Sequence, residues 1–171
     1  MMRSPKSPIM AIMLFLALSG CGLFIRSEPG SVIAYTEVVE AATAGNVPKV
    51  QAALDQDPRF IRKTEWDGAT LLHDAVGHKE EAMAAFLISR GAEVDARTSS
   101  GLTPLHMAAQ NGDMPIIRLL LDHHARLNAV DGKGWTPLDR AIKWRHPDAA
   151  EFLRARGGKA NSAGRTRTPA L

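Results

Sequence analysis

The chain of 171 residues has one cysteine, one tyrosine and only 5% aromatic residues. A single cysteine, Cys21, excludes an intramolecular disulfide. The apolar run Ile9–Leu18 falls short of the roughly 20 residues that a stable membrane-spanning helix needs. There is no G-x-S-x-G, no H-E-x-x-H and no glycine-rich phosphate loop. The six histidines have no partners at metal-ligand spacing. No catalytic residue, no metal and no cofactor is therefore expected. The net charge of +3 and pI near 9.3 invite a nucleic-acid partner. Residues 31–153 carry 13 Lys and Arg against 17 Asp and Glu, so the body is −4. Phosphate binding needs a clustered basic face, and the body lacks the charge for it.

What is present is a repeat. Gly68, Gly101 and Gly134 stand 33 residues apart. Thr70, Thr103 and Thr136 keep the same register, as do Leu72, Leu105 and Leu138, and Ala75, Ala108 and Ala141. A fixed period of this length is one helix-pair unit. In the middle unit Thr103 is placed to cap a helix N-terminus. Pro104 follows at the first helical position, where its missing N–H costs nothing. Leu105, Ala108 and Ala109 put small and apolar groups on one helix face. Asn111-Gly112 ends that helix, and Ile116 to Leu121 make the second helix apolar nearly all round. One unit cannot bury that surface alone, so stacking is required for folding.

The runs TLLH (70–73), TPLH (103–106), TPLD (136–139) and GAEVDA (91–96) resemble an ankyrin repeat array. The resemblance implies an all-α solenoid of about four helix-pair units joined by short β-hairpin-like loops. It implies that His73 and His106 hydrogen-bond loop backbone and the neighbouring threonine, keeping adjacent units in register. Thr103, Pro104, Thr136 and Pro137 share that structural role. It also implies that partners bind at hairpin tips, before the TPLH threonine, and just after the first-helix alanines. Carried onto this chain, those positions include Trp66, Ala69 and His78, then Ser99, Ser100, Leu102, Gln110 and Asn111, then Lys133, Trp135, Lys143 and Trp144. All three tryptophans of the chain fall in this set. Exposed tryptophan is enriched at interface hot spots.

The ends differ from the body. Arg3 and Lys6 precede the apolar run, and Leu18-Ser19-Gly20-Cys21 follows. This resembles the bacterial lipoprotein signal, which implies cleavage before Cys21 and its acylation. Several acyl chains give stable anchoring. Gly22 stands where an Asp resembles an inner-membrane retention signal, so the outer membrane facing the periplasm is the expected address. The tether 21–30 reaches no more than roughly 30–35 Å. Residues 31–158 form the repeat domain, in units of about 31–67, 68–100, 101–133 and 134–158. The first unit is degenerate, with one extra residue placed between Asp55 and Lys63. The last is capped by Arg154 and Arg156. Residues 159–171 read as a basic, disordered tail. His124 replaces a helix-ending glycine and is expected in a left-handed conformation.

The expected function is a non-enzymatic, lipid-anchored module that binds a protein partner through the concave ankyrin face, as a monomer. An alternative is an immunity-type inhibitor of a toxic effector acting in the periplasm. An envelope enzyme or accessory subunit ranks below both.

Overall fold

A computed structural model describes residues 34–161. Cys21 and the export signal lie outside the described residues. Eight short helices come in four pairs: α1 (Tyr35–Thr43) with α2 (Val47–Gln56), α3 (Leu71–Gly77) with α4 (Glu81–Ser89), α5 (Pro104–Asn111) with α6 (Met114–Asp122), and α7 (Pro137–Lys143) with α8 (Pro147–Ala155). None is longer than 10 residues, and isolated helices shorter than about 12–15 residues are marginal in water. Stacking makes them stable. The first helices pack in one row, α1 on α3, α3 on α5 and α5 on α7, and the second helices α2, α4, α6 and α8 pack in another.

The core is built from the expected positions. Leu72, Ala75, Leu105, Ala108, Leu138 and Ala141 are buried in the first-helix row. Met83, Leu87, Ile116, Ile117, Leu120, Ala149 and Leu153 are buried in the second. Small alanines between the larger residues allow neighbouring helices to approach closely, and each fully buried leucine contributes about 2–3 kcal/mol.

The units turn their corners in the same way, except that α2 of the first is followed by a 3₁₀ turn. Positive φ recurs after the first helix at Gly45, Lys79, Gly112 and Arg145, after the second at Gly91, His124 and Gly157, and in the hairpin at Gly68, Gly101 and Gly134. The hairpin glycines have φ of 81°, 77° and 78°, so the three loops share one conformation. Gly101 needs to be glycine twice over, because a Cβ there would also lie 2.8 Å from the backbone nitrogen of Gly132. His124 adopts the left-handed conformation expected of it, with φ 64°.

The extra residue of the first unit lies where the sequence places it. A 3₁₀ turn, Pro58–Arg62, follows α2 and buries Phe60 against Tyr35, with ring centroids 5.7 Å apart.

The C-terminal end departs from expectation in one respect. Lys159 and Asn161, assigned from sequence to the tail, are tied to the body. Lys159 N–H donates to Asn128 Oδ1 at 2.7 Å, and Asn161 N–H donates to Asp139 Oδ2 at 2.9 Å. Asn161 Nδ2 also donates to the Gly134 carbonyl at 3.0 Å. Lys159 stands one period after Arg126, whose N–H donates to Asp95 Oδ1 in the preceding unit at 2.9 Å. The repeat register thus runs on past Gly158.

Candidate partner-binding face

The face formed by α1, α3, α5, α7 and the hairpins is held by an interlocking set of polar contacts. His73 Nδ1 accepts from Thr70 N–H at 3.2 Å, so Nε2 carries the proton and donates to the Leu102 carbonyl of the next hairpin at 3.2 Å. His106 repeats this with Thr103 N–H at 3.2 Å and the Trp135 carbonyl at 3.0 Å. Burial pushes both imidazoles below the ordinary histidine value, although the carbonyl each one bonds pulls the other way. The neutral ring joins one unit to the next. In the last unit Asp139 takes the histidine's place, accepting from Thr136 N–H at 2.9 Å and from Asn161 N–H. Pro104 and Pro137 are buried at the first turn of α5 and α7.

The hairpins are linked as well. Ser99 N–H donates to the Asp67 carbonyl at 2.6 Å, and Gly132 N–H to the Ser100 carbonyl at 2.8 Å. This fixes the spacing of the tips.

The tryptophans divide into two groups. Trp66 is 95% exposed at its tip and leans on no neighbouring unit. Trp135 is half-buried and Trp144 is 40% exposed, and their rings meet edge to face with centroids 5.8 Å apart. The Arg140 guanidinium lies 5.4 Å from the Trp135 ring and 5.2 Å from the Trp144 ring, and Lys143 Nζ is 5.9 Å from Trp135.

Arg140 is itself only 6% exposed. Its Nε and Nη2 converge on Asp131 Oδ2 at 3.0 and 2.5 Å, and Nη1 donates to Gln110 Oε1 at 2.6 Å. Asp131 is 5% exposed, and its Oδ1 accepts from Lys133 and Trp135 N–H at 2.7 and 3.0 Å. Burial alone would push this carboxyl up. The Arg140 guanidinium and the two backbone N–H groups outweigh it and hold Asp131 below the usual carboxylate range. Neither Asp131 nor Arg140 is among the contact positions that the ankyrin resemblance implies. The signal that could have found them was the mismatch with the middle unit, which has Thr98 and Met107 at the same positions.

The other proposed contact residues vary in availability. Ser99, Ser100, Lys133, Lys143 and His78 are exposed. Leu102 is half-buried with its carbonyl occupied by His73. Gln110 is engaged by Arg140. Asn111 bridges to α3, its Nδ2 donating to the Val76 and Gly77 carbonyls at 3.4 and 3.2 Å. Ala69 must be corrected: it is 7% exposed, because its methyl group is too short to reach out from a position where Leu102 and Trp135 are half-buried, and it offers a partner little surface.

At the opposite end of the face the sign of charge reverses. Asp74 is half-buried, and its Oδ2 has no hydrogen-bond partner. Burial, with Glu65 and Asp67 nearby, pushes its carboxyl up to about 7, while His78 eases it slightly.

Among the described residues no helix is long and apolar enough to cross a membrane, and no group of three or more His, Cys, Asp or Glu residues could hold a metal ion. Stacked helix pairs linked by register-keeping histidines define a helical-repeat protein. A family model of three ankyrin repeat copies matches residues 86–163, and a single-repeat ankyrin model matches residues 67–99. Residues 67–163 are thus ankyrin repeats. The RelA-associated inhibitor of Mus musculus is 35% identical over 79 residues, which is 46% of this chain and 10% of that protein. The probable 26S proteasome regulatory subunit p28 of Saccharomyces cerevisiae is 36% identical over 78 residues, 45% of this chain and 34% of that one. The SMC5-SMC6 complex localization factor protein 1 of Bos taurus is 37% identical over 96 residues, 55% of this chain and 9% of that one. The chain thus spans about a third or less of the length of these curated relatives. Ankyrin arrays are protein-interaction modules, in general without enzymatic activity, and this chain carries one.

Proposed function

We propose that this protein is a lipid-anchored binding module of the bacterial cell envelope, holding a protein partner on its concave face while facing the periplasm. The observation that carries the reading is the Trp135–Trp144 pair, left partly open and fixed in place by the buried Arg140–Asp131 contact. Rings already held in one arrangement lose little freedom on binding, which raises affinity without added area. The relatives' names describe an inhibitor, a regulatory subunit and a localization factor, which accords with a binding role here. Anchoring rests on Leu18-Ser19-Gly20-Cys21 and on a tether too short to carry the domain far from the membrane.

The test is a crosslinking capture from envelope extracts of the source cells, comparing wild type with Trp135→Ala/Trp144→Ala. At least one partner should disappear with the double variant. Equal recovery of every partner removes the site. Anchoring is tested separately: Cys21→Ser should release the protein from the membrane fraction, and an unchanged distribution means another tether.

A further inference from the structure

Equivalent positions on this face change sign from one unit to the next. On the first helices the row Glu40, Asp74, Met107, Arg140 runs from acidic through apolar to basic. At the hairpin tips the row is Asp67, Ser100, Lys133. One turn further along the helices it is Thr43, Gly77, Gln110, Lys143. The units are in contact along these rows: Arg140 bonds Gln110, and Asn111 bonds the Val76 and Gly77 carbonyls. Asp131 runs against the trend, but it is buried and matched by Arg140, so that pair adds no net charge. The excess is then Lys133, Lys143 and Arg145 around the tryptophan pair, against Glu40, Glu65, Asp67 and Asp74 at the other end. Lys63, which lies 4.7 Å from the Tyr35 ring, His78 and Lys79, which holds the corner position of Arg145 two periods earlier, offset part of the acidic group and leave that end net acidic.

We infer that the partner presents an extended segment of opposite polarity: a basic group over Asp67 and Asp74, and a carboxylate beside an apolar side chain over Trp135, Trp144, Lys133 and Lys143. This rests on the concave-face reading above and adds direction to it. Complementary potentials fix register and reject the reversed docking. Asp67 and Asp74 are half-buried, and Glu65 close to Asp74 adds to the acidic field that the basic group would meet. Neighbouring helices pack about 10 Å apart, so the two ends lie about 20 Å apart. An extended strand covers that distance in about six residues.

The chain supplies its own reporters. Trp66 sits beside Asp67 at the acidic end, and Trp135 and Trp144 mark the basic end, so the three indole N–H signals of the isotope-labelled full chain can be read by NMR. The probe is a synthetic peptide with a pair of lysines, a neutral spacer of about six residues and a Leu-Glu-Glu end, spin-labelled at one end or the other. The label on the acidic end should broaden Trp135 and Trp144 and spare Trp66, and the label on the basic end should do the reverse. Lys133→Glu/Lys143→Glu, at two exposed positions, should weaken binding about tenfold and abolish the first pattern. Equal broadening from both labels overturns the inference but leaves the face as a binding site. So does a charge-interleaved isomer that binds as tightly. An anionic vesicle or oligonucleotide that engages the lysine end as tightly overturns the choice of a protein segment. Indoles that respond to no peptide overturn the face reading as well.

Discussion

Arg140 and Asp131 form a buried ion pair with side chains 8% and 0% exposed, and the repeat supplies its own apolar replacement. One period earlier the same two positions are Met107 and Thr98. Thr98 Oγ accepts from Leu102 N–H at 3.1 Å, much as Asp131 Oδ1 accepts from Trp135 N–H. The backbone therefore tolerates either solution. Removing one partner of such a pair leaves an uncompensated buried charge and costs about 3–5 kcal/mol, whereas replacing both by well-packed residues is often neutral. Arg140→Met should destabilise by about 3 kcal/mol, Asp131→Thr by a similar amount, and the double variant by about 1 kcal/mol or less. The assay is urea unfolding followed by circular dichroism, with tryptophan fluorescence as a second probe. Fluorescence should shift in every variant that lacks Arg140, because its guanidinium lies over both indoles. Additive losses in the double variant would refute the account of the pair as a coupled unit. A cost below about 1 kcal/mol for Arg140→Met would refute its burial as the source of the effect.

Further predictions concern the fold and its pH dependence. His124→Gly should raise stability by about 0.5–1 kcal/mol in thermal unfolding, since its counterparts Gly91 and Gly157 hold the same conformation without a Cβ. Gly101→Ala should cost about 2 kcal/mol or more and Gly134→Ala about 1, because the hairpins share one φ but only the first Cβ meets backbone. Asp74 binds its proton more tightly folded than unfolded, so its contribution favours the fold below about pH 4 and is lost as pH rises through about 7. Asp74→Asn should therefore stabilise the protein at pH 8 by about 1–2 kcal/mol, after allowance for solvent screening of a half-buried group, and leave it nearly unchanged at pH 4. His73 and His106 act in the opposite direction: their depressed folded values make stability fall as pH drops below about 6.5. A pH-stability profile of the Asp74→Asn variant should then lose the Asp74 slope and keep the histidine slope, joined at lower pH by that of Asp131.

Fold was legible because it depends on what the units share. Thr103, Pro104, Leu105 and His106 announce a helix start, a buried face and an inter-unit hydrogen bond, and each performs the expected role. Even the irregular first unit could be placed, since Gly45 stands one residue more than a period before Lys79 and the surplus lies in the turn after α2. The site was less legible. Trp135 and Trp144 could be assigned to one face but not to mutual contact, because their separation of nine residues places them on a hairpin and a helix end that meet only once α7 is docked. Ala69 was misjudged because a rule of position along the repeat says nothing of side-chain length: the Trp135 ring at the same position reaches the surface and the Ala69 methyl does not. Lys159 and Asn161 were read by composition, which was polar and basic, while their period relation to Arg126 and Asn128 carried the better information.

Residues that recur cannot distinguish one unit from another, so they carry no address for a partner. Whatever selects the partner must lie where the units disagree. Along the first-helix row the backbone is held constant by identical corners, while Asp74, Met107 and Arg140 present three different chemistries at one position. The same holds at the tips for Asp67, Ser100 and Lys133. Averaging the units toward a common sequence would thus preserve or raise stability, as consensus repeats do, while erasing the difference between the two ends of the face. Stability and recognition are separable in this array because they occupy different rows of the same lattice.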